Sequence, residues 1–217
     1  FLTWIAEVVV EHSMTIAWQQ LSQQYGQPSG SSFQTPGFIV LGYGKLGGIE
    51  LGYKSDLDLV FLHRGTAGQT VGGPRSIDSS TFYARLGQRI IHILSTVTPS
   101  GAAYEIDMRL RPSGNSGMLV SSLTAFEKYQ RESAWTWEQQ ALVRARVVAG
   151  EKALADDFNR LRRAVLMQPR DKEVLRAEVE QMREKMRKHL GRPSKEGKYS
   201  LKQGAGGIVD IEFMVQF

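Results

Sequence analysis

The sequence predicts an α+β domain, and three observations carry that prediction. Residues 38–63 read as a hydrophobic strand, a glycine-rich turn and a second strand bearing two aspartates. Residues 102–111 alternate apolar and charged side chains, which is the period of a strand with one face in a core. Around these strands run segments whose apolar residues recur at helical spacing. With 217 residues, 41% of them hydrophobic, the chain can bury a substantial core as one large or two small domains.

Taken in order, residues 2–25 form an amphipathic helix with the stripe Leu2, Ile5, Val9, His12 and Ile16, stopped by Gly26. Residues 27–37 are a linker of Gly, Ser and Pro. The strand, turn and strand of 38–63 follow, and then a glycine-rich stretch, 64–74, that reads as a loop. Asp78 or Ser79 can cap a helix with the stripe Phe82, Leu86, Ile90 and Leu94, ended by Pro99, Ser100 and Gly101. Beyond the strand of 102–111 lie a turn at Gly114 to Gly117, a short strand over 118–120, and a helix opened by a capping box from Thr124 to Glu127. From Ser133 the run AWTWEQQALVRARVVAG reads as one helix with the stripe Trp137, Ala141, Ala145 and Val148, stopped by Gly150. On such a helix Arg144 and Arg146 diverge, and Trp135 and Trp137 are core residues. Two more helices carry the stripes Leu154, Phe158, Leu161, Val165 and Leu175, Val179, Met182, Met186, Leu190, divided by Pro169. The boundaries expected are thus an N-terminal helix at 1–26, a linker at 27–37, a core at 38–150 and a helical extension at 151–217. The chain opens at Phe1 inside one apolar run and closes at Phe217 inside another, and so reads as a piece of a longer polypeptide.

The chemistry concentrates in few places. Asp56 and Asp58 stand two apart on a strand, so both carboxylates point to one face and can grip a single divalent cation. A hard ion such as Mg²⁺ is commonly held by one or two carboxylates together with the phosphates of a nucleotide. The preceding turn, with Gly44 and Gly47, lets backbone N–H groups approach phosphate oxygens, and Lys45 adds a positive charge. On 102–111, Tyr104, Ile106, Met108 and Leu110 form one face, and Glu105, Asp107, Arg109 and Arg111 the other. A carboxylate on a strand beside the D-x-D strand is what a two-metal phosphoryl site requires, with Arg109 and Arg111 available to phosphates. The alternative is that these acids pair with the arginines of the same face. KQGAGGIVDIEF is another tight turn carrying acids, Asp210 and Glu212, which either closes over a nucleotide or begins a helix.

Other classes drop out. Gly42, Gly44 and Gly47 match G-x-G-x-x-G, but no room exists for the crossover helix that a dinucleotide fold demands. Lys45 is followed by Leu46 and not by Ser or Thr, which removes a Walker A loop. The absence of cysteine removes disulfides and thiolate metal sites. The four histidines lack metal-ligand spacing. No apolar run is long enough to span a membrane and no signal peptide opens the chain, so a soluble cytoplasmic protein is expected. The net charge of +5 resides in residues 151–199, where 14 Lys and Arg face 9 Asp and Glu. Without aromatic interleaving this reads as a solvated face, and nucleic acid is not expected as a partner.

Four stretches in order, GYGKLGG-x-EL-x-x-x-SDLDL, YEIDMRLRPSG-x-SG-x-LV, AWTWE-x-QALVRARVV and GGIVDIEF, resemble the glutamine synthetase adenylyltransferase family, bifunctional bacterial enzymes that add AMP to glutamine synthetase and remove it. The resemblance covers nearly the whole chain from Phe38. It implies a polymerase β-like nucleotidyltransferase fold, a mixed sheet with surrounding helices plus a helical extension. It also implies Asp56, Asp58 and Asp107 as metal-binding carboxylates, with Gly44, Lys45 and Ser55 near the nucleotide phosphates. The cofactor implied is Mg²⁺ with ATP as substrate, and the partners are glutamine synthetase and, on the full-length enzyme, the PII signalling protein. The AWTWEQQALVRARVV stretch is closer to the C-terminal, AMP-adding half. The phosphorolytic AMP-removing half and a non-catalytic nucleotide or nucleic-acid binding module are the alternatives.

Overall fold

The computed structural model describes residues 1–65, 67–190, 200–202 and 204–216, and of His189 and Leu190 the backbone alone. The expectations for residues 191–199, for Phe217 and for the Leu190 and His189 side chains therefore lie outside the described residues. In chain order the elements are α1 (Leu2–Tyr25), β1 (Gly26–Pro28), β2 (Phe38–Gly42), α2 (Gly44–Gly47), β3 (Leu57–His63), β4 (Thr70–Gly72), α3 (Ser79–Ser95), β5 (Ile106–Asp107), β6 (Val120–Ser122), α4 (Leu123–Glu132), α5 (Thr136–Leu142), β7 (Arg146–Gly150), α6 (Lys152–Leu166), α7 (Lys172–Leu190) and α8 (Ile208–Val215). No helix among the described residues is long and apolar enough to cross a membrane.

The sheet is mixed, as expected. β2 lies between β3 and β7, antiparallel to both, with Phe38 opposite His63 and Gly42 opposite both Leu59 and Arg146. On its other edge β3 takes two parallel partners in succession: β5 beside Leu57 and Asp58, then β6 beside Phe61 to His63. β1 and β4 form a separate antiparallel ribbon.

Side-chain alternation along the two central strands builds two cores. Phe38, Val40, Leu57, Leu59 and Phe61 pack with α1 and α3, where the Trp18 ring meets Phe82 edge-on at 5.1 Å. Ile39, Leu41, Val60 and Leu62 pack with Phe126 of α4, Leu142 of α5 and Phe158 of α6. Burial on both faces explains why these strands read as nearly continuous apolar runs. Asp58 shares the phase of Val60 and Leu62 and interrupts that run at the N-terminal end of β3.

Several sequence expectations change. α1 buries Thr3, Ala6, Val10, Met14, Ala17 and Leu21, one position round from the expected stripe, because small side chains on that face permit close packing while Ile5 stays exposed. The 64–74 stretch is not all loop, and the 27–37 linker not all linker, since β4 pairs with β1. The strand over 102–111 shrinks to Ile106 and Asp107. That over 118–120 shifts to Val120–Ser122 and leaves Met118 exposed. α4 is capped by Ser122, whose Oγ accepts the Ala125 N–H at 3.1 Å, and not by a box at Thr124. The helix from Ser133 ends at Leu142, and Arg146–Gly150 becomes an edge strand: the β-branched pair Val147 and Val148 gains a ladder on β2 that a helix would not give it. Trp135 is 67% exposed and is no core residue.

Candidate active site

Asp56, Asp58 and Asp107 come together at the N-terminal end of β3. The parallel pairing of β3 with β5 sets Asp58 opposite Asp107, and Asp56 sits just before the strand. One carboxylate oxygen from each lies within 4.8 Å of the others. Asp56 is exposed and the other two are half-buried, so the cluster faces solvent from a partly desolvated floor. A shallow cleft of about 460 Å³ opens beside it, lined by Asp56, Glu105, Asp107, Met108, Arg109 and Asn115.

The electrostatics differ between the three acids. Burial, followed by repulsion from Asp56 and Asp107, pushes the Asp58 carboxyl up to about 6. Asp107 moves the other way, because hydrogen bonds from the Arg109 side chain hold its carboxyl below the ordinary range. The Arg109 backbone N–H also donates to Asp107 Oδ1 at 2.8 Å, and its Nε to Oδ1 at 3.0 Å and Oδ2 at 2.8 Å. An acid whose proton affinity is raised by two acidic neighbours marks a donor set short of positive charge, and three hard oxygens at this spacing fit one or two divalent cations such as Mg²⁺.

The glycine turn locks onto the cluster from the side. Tyr43 donates its N–H to the Asp58 carbonyl at 2.9 Å, which fixes the start of α2 against β3. Gly44 follows with φ of 49°, its Cα facing the Asp58 carboxylate. Gly47 serves a different neighbour: a Cβ there would overlap the Arg144 carbonyl oxygen and lie 2.5 Å from that of Gly42. Lys45 is exposed on α2. Ser55 closes the turn into Asp56, its Oγ accepting the Gly52 N–H at 3.0 Å.

The remaining charged residues divide into scaffold and site. Arg111 does not share the Arg109 direction, because it donates to the carbonyls of Met108 at 2.7 Å and Asn115 at 3.2 Å and shapes the loop after β5. Arg146 pairs with Glu7 and donates to the carbonyls of Leu46 at 3.2 Å and Gly47 at 3.3 Å, tying α1 to α2. Arg144 bridges Glu50 and, at 2.7 Å, Glu212. The GGIVDIEF stretch begins α8, with Asp210 paired to Arg183 of α7. Asp210 and Glu212 thus anchor a helix and do not join the acid cluster. One cation was missed by sequence reasoning: Lys202, in the turn before α8, lies near enough to Asp58 for its charge to draw that carboxyl downward. No local signal marks it, since its place depends on how the turn before α8 sits against β3. Along α7, Arg176 is met by Glu180, and Arg187 and Lys188 by Glu184, as a solvated face requires.

Comparison with known proteins follows the same lines. A family model described as glutamate-ammonia ligase adenylyltransferase matches residues 1–161. Curated relatives called bifunctional glutamine synthetase adenylyltransferase/adenylyl-removing enzyme match the whole chain. That of Pseudomonas putida is 53% identical over 230 aligned positions, covering 100% of this chain and 24% of the relative. That of Thioalkalivibrio sulfidiphilus is 56% identical over 223, covering 100% and 23%. That of Vibrio parahaemolyticus is 53% identical over 217, again covering 100% and 23%. The chain therefore spans about a quarter of the length of these relatives.

Proposed function

The chain belongs to the glutamate-ammonia ligase adenylyltransferase family, and from that premise we propose that it is a polymerase β-like nucleotidyltransferase domain moving AMP from Mg-ATP to a tyrosine hydroxyl of glutamine synthetase. The observation that carries the proposal is the convergence of Asp58 and Asp107, on two neighbouring strands, with Asp56 just before the first of them, beside a glycine turn. On this reading residues 38–150 are the catalytic core, 1–26 a helix packed on its back, 27–37 the linker between them and 151–217 the helical extension. The setting is the cytoplasm, with PII acting on the full-length protein.

In the reaction the tyrosine hydroxyl gives its proton to solvent, its oxygen bonds to the α-phosphorus, the bond from that phosphorus to the α–β bridging oxygen breaks, and pyrophosphate leaves. Asp56, Asp58 and Asp107 would hold Mg²⁺, which when bound would neutralise the phosphate charge and the charge that develops on the leaving oxygen. The protein's own contribution is placement. Asp58, on the β3 ladder, and Asp56, in the turn just before it, would fix the ion position, and Gly44 keeps the backbone close without filling the site. Gly44 and Lys45, at the start of α2, face the phosphates. Gly47 lets the Arg144 backbone, just before β7, pack against that turn, and Ser55 sets the angle at which the chain enters Asp56. Arg109 and Lys202 supply positive charge to the polyphosphate. Asp107 serves as a ligand and not as the base, because a carboxylate whose lone pairs are given to a divalent cation is a poor proton acceptor.

The reverse activity, phosphorolytic removal of AMP, is the second reading, favoured by the bifunctional description of the relatives. The AWTWEQQALVRARVV stretch supports the adding half. Intact mass of glutamine synthetase subunits decides between them. Incubation with this chain and Mg-ATP should add one AMP per modified subunit, whereas loss of AMP from adenylylated subunits with phosphate would assign the opposite half. A non-catalytic module would move neither mass.

A further inference from the structure

The third carboxylate of the cluster is already occupied. Arg109 meets both oxygens of Asp107, through its backbone N–H, its Nε and its Nη2. Among the described residues the Arg109 side chain has no further hydrogen bond or ion pair and is 73% exposed, while that of Asp107 is 13% exposed. Arg111, two residues on, is fastened to backbone carbonyls and cannot exchange with it. A guanidinium and a divalent cation compete for the same lone pairs, because both are acceptor-seeking cations and a carboxylate has few such positions. At Asp58 the charges of Arg109 and Lys202 are felt only at a distance, with no hydrogen bond to its carboxylate among the contacts described.

We propose that Arg109 is a tethered stand-in for the second cation, holding Asp107 in the nucleotide-free protein and releasing it when a polyphosphate arrives to take the guanidinium. The inference rests on the reading of the three aspartates as a cation site for a nucleotide. A polyphosphate offers the guanidinium the paired oxygens it would give up on Asp107, which water does not. The bond from the Arg109 backbone N–H to Oδ1 uses one position only, so it continues to aim the carboxylate after the side chain swings away. Two consequences follow. The second cation and the nucleotide bind with positive coupling, and Arg109, a positioning residue on Asp107, becomes a phosphate contact only once the nucleotide is present. Coupling between two ligands of one site is typically 5–150-fold, and reciprocal.

The test is Mn²⁺ binding followed by electron paramagnetic resonance, with and without α,β-methylene-ATP, on the full chain and its Arg109→Ala, Arg109→Gln and Asp58→Asn variants. In the unmodified protein one Mn²⁺ should bind without nucleotide and a second only with it. Arg109→Ala and Arg109→Gln should fill the second position without nucleotide about tenfold more tightly and reduce the coupling toward unity. Unchanged or weaker nucleotide-free binding in both arginine variants, with Asp58→Asn abolishing binding, would overturn the stand-in role and leave the cation site intact. Mn²⁺ binding that survives Asp58→Asn unaltered would instead remove the cation site, and the inference with it. Glutamine keeps much of the arginine stem and so guards against a variant that fails by losing packing alone.

Discussion

Gly44 and Asp58 are in such close contact that no other residue can stand at position 44 without moving the carboxylate. A Cβ there would overlap Asp58 Oδ2 and lie 3.2 Å from its Cγ, and the backbone already has φ of 49°. Gly44→Ala therefore combines left-handed backbone strain with a displaced site carboxylate, at a cost of about 1–3 kcal/mol. The expected outcome is a folded protein with a lowered Tm and at least tenfold weaker Mn²⁺ binding. Calorimetry and a metal titration on the same sample check it, and undiminished binding would show that the glycine serves only the backbone.

Asp58→Asn should separate stability from function by sign. The substitution keeps the shape and removes one negative charge from a cluster that repels itself, so the metal-free protein should gain about 1–2 kcal/mol above pH 7. AMP transfer and the Tm rise on adding Mg²⁺ should both disappear, since one of three ligands is lost. A Tm that falls in the metal-free state, measured by differential scanning calorimetry, would mean that the Asp58 carboxylate has a structural partner.

The parts of this site legible in the sequence are those set by one strand. Asp58 follows from alternation and the apolar run after it announces a central strand, whereas Asp56, expected on that strand, stands one residue before it and joins the cluster from the turn. Asp107 was legible as a residue type on a polar face, but its partner was not, because register between β3 and β5 depends on tertiary pairing. Arg109 and Arg111 were expected to point together. They do not, because the strand ends at Asp107, after which Arg109 folds onto Asp107 while Arg111 turns to the carbonyls of Met108 and Asn115. Helix and strand were confused at RARVV because Trp137, Ala141, Ala145 and Val148 keep a helical period by chance. What decides there is the open edge of β2, a feature 100 residues away that no local window contains. Lys202 reaches Asp58 only through the docking of α8, so its place was invisible to any reading of neighbours.

The pH dependence follows from the two displaced aspartates. Asp58 in the metal-free protein holds its proton up to about 6, above the ordinary value of 3.8. The folded state then binds more protons than the unfolded state between those limits, so this group lowers stability as pH rises from about 4 to about 6, by at most about 3 kcal/mol. Asp107, held low by Arg109, works oppositely: its contribution is present above the ordinary carboxylate range and is lost as pH falls below it. Cation binding requires ionised Asp58, so Mn²⁺ affinity should weaken about tenfold per pH unit below about 6 and flatten above it. Titrations from pH 5 to 8 check this, and an affinity flat across that range would exclude Asp58 as a ligand.

The last prediction concerns how α8 serves a site it does not form. Arg144 is 16% exposed and joins Glu50 near α2 to Glu212 on α8. Arg144→Ala leaves both acids at positions where water reaches them, so the cost should be modest, about 1–2 kcal/mol, and local to α8. Hydrogen exchange should then rise in residues 208–216 and stay unchanged in the β2 and β3 ladder. Since Lys202 is carried by the turn that α8 anchors, Arg144→Ala should also raise KM for ATP by reducing the charge near Asp58. Lys202→Ala should do the same, and the double variant should be little worse than either alone, because both remove one interaction. Fully additive effects on KM would show that Arg144 acts on the glycine turn through Glu50, and that α8 reaches the nucleotide by no route through Lys202.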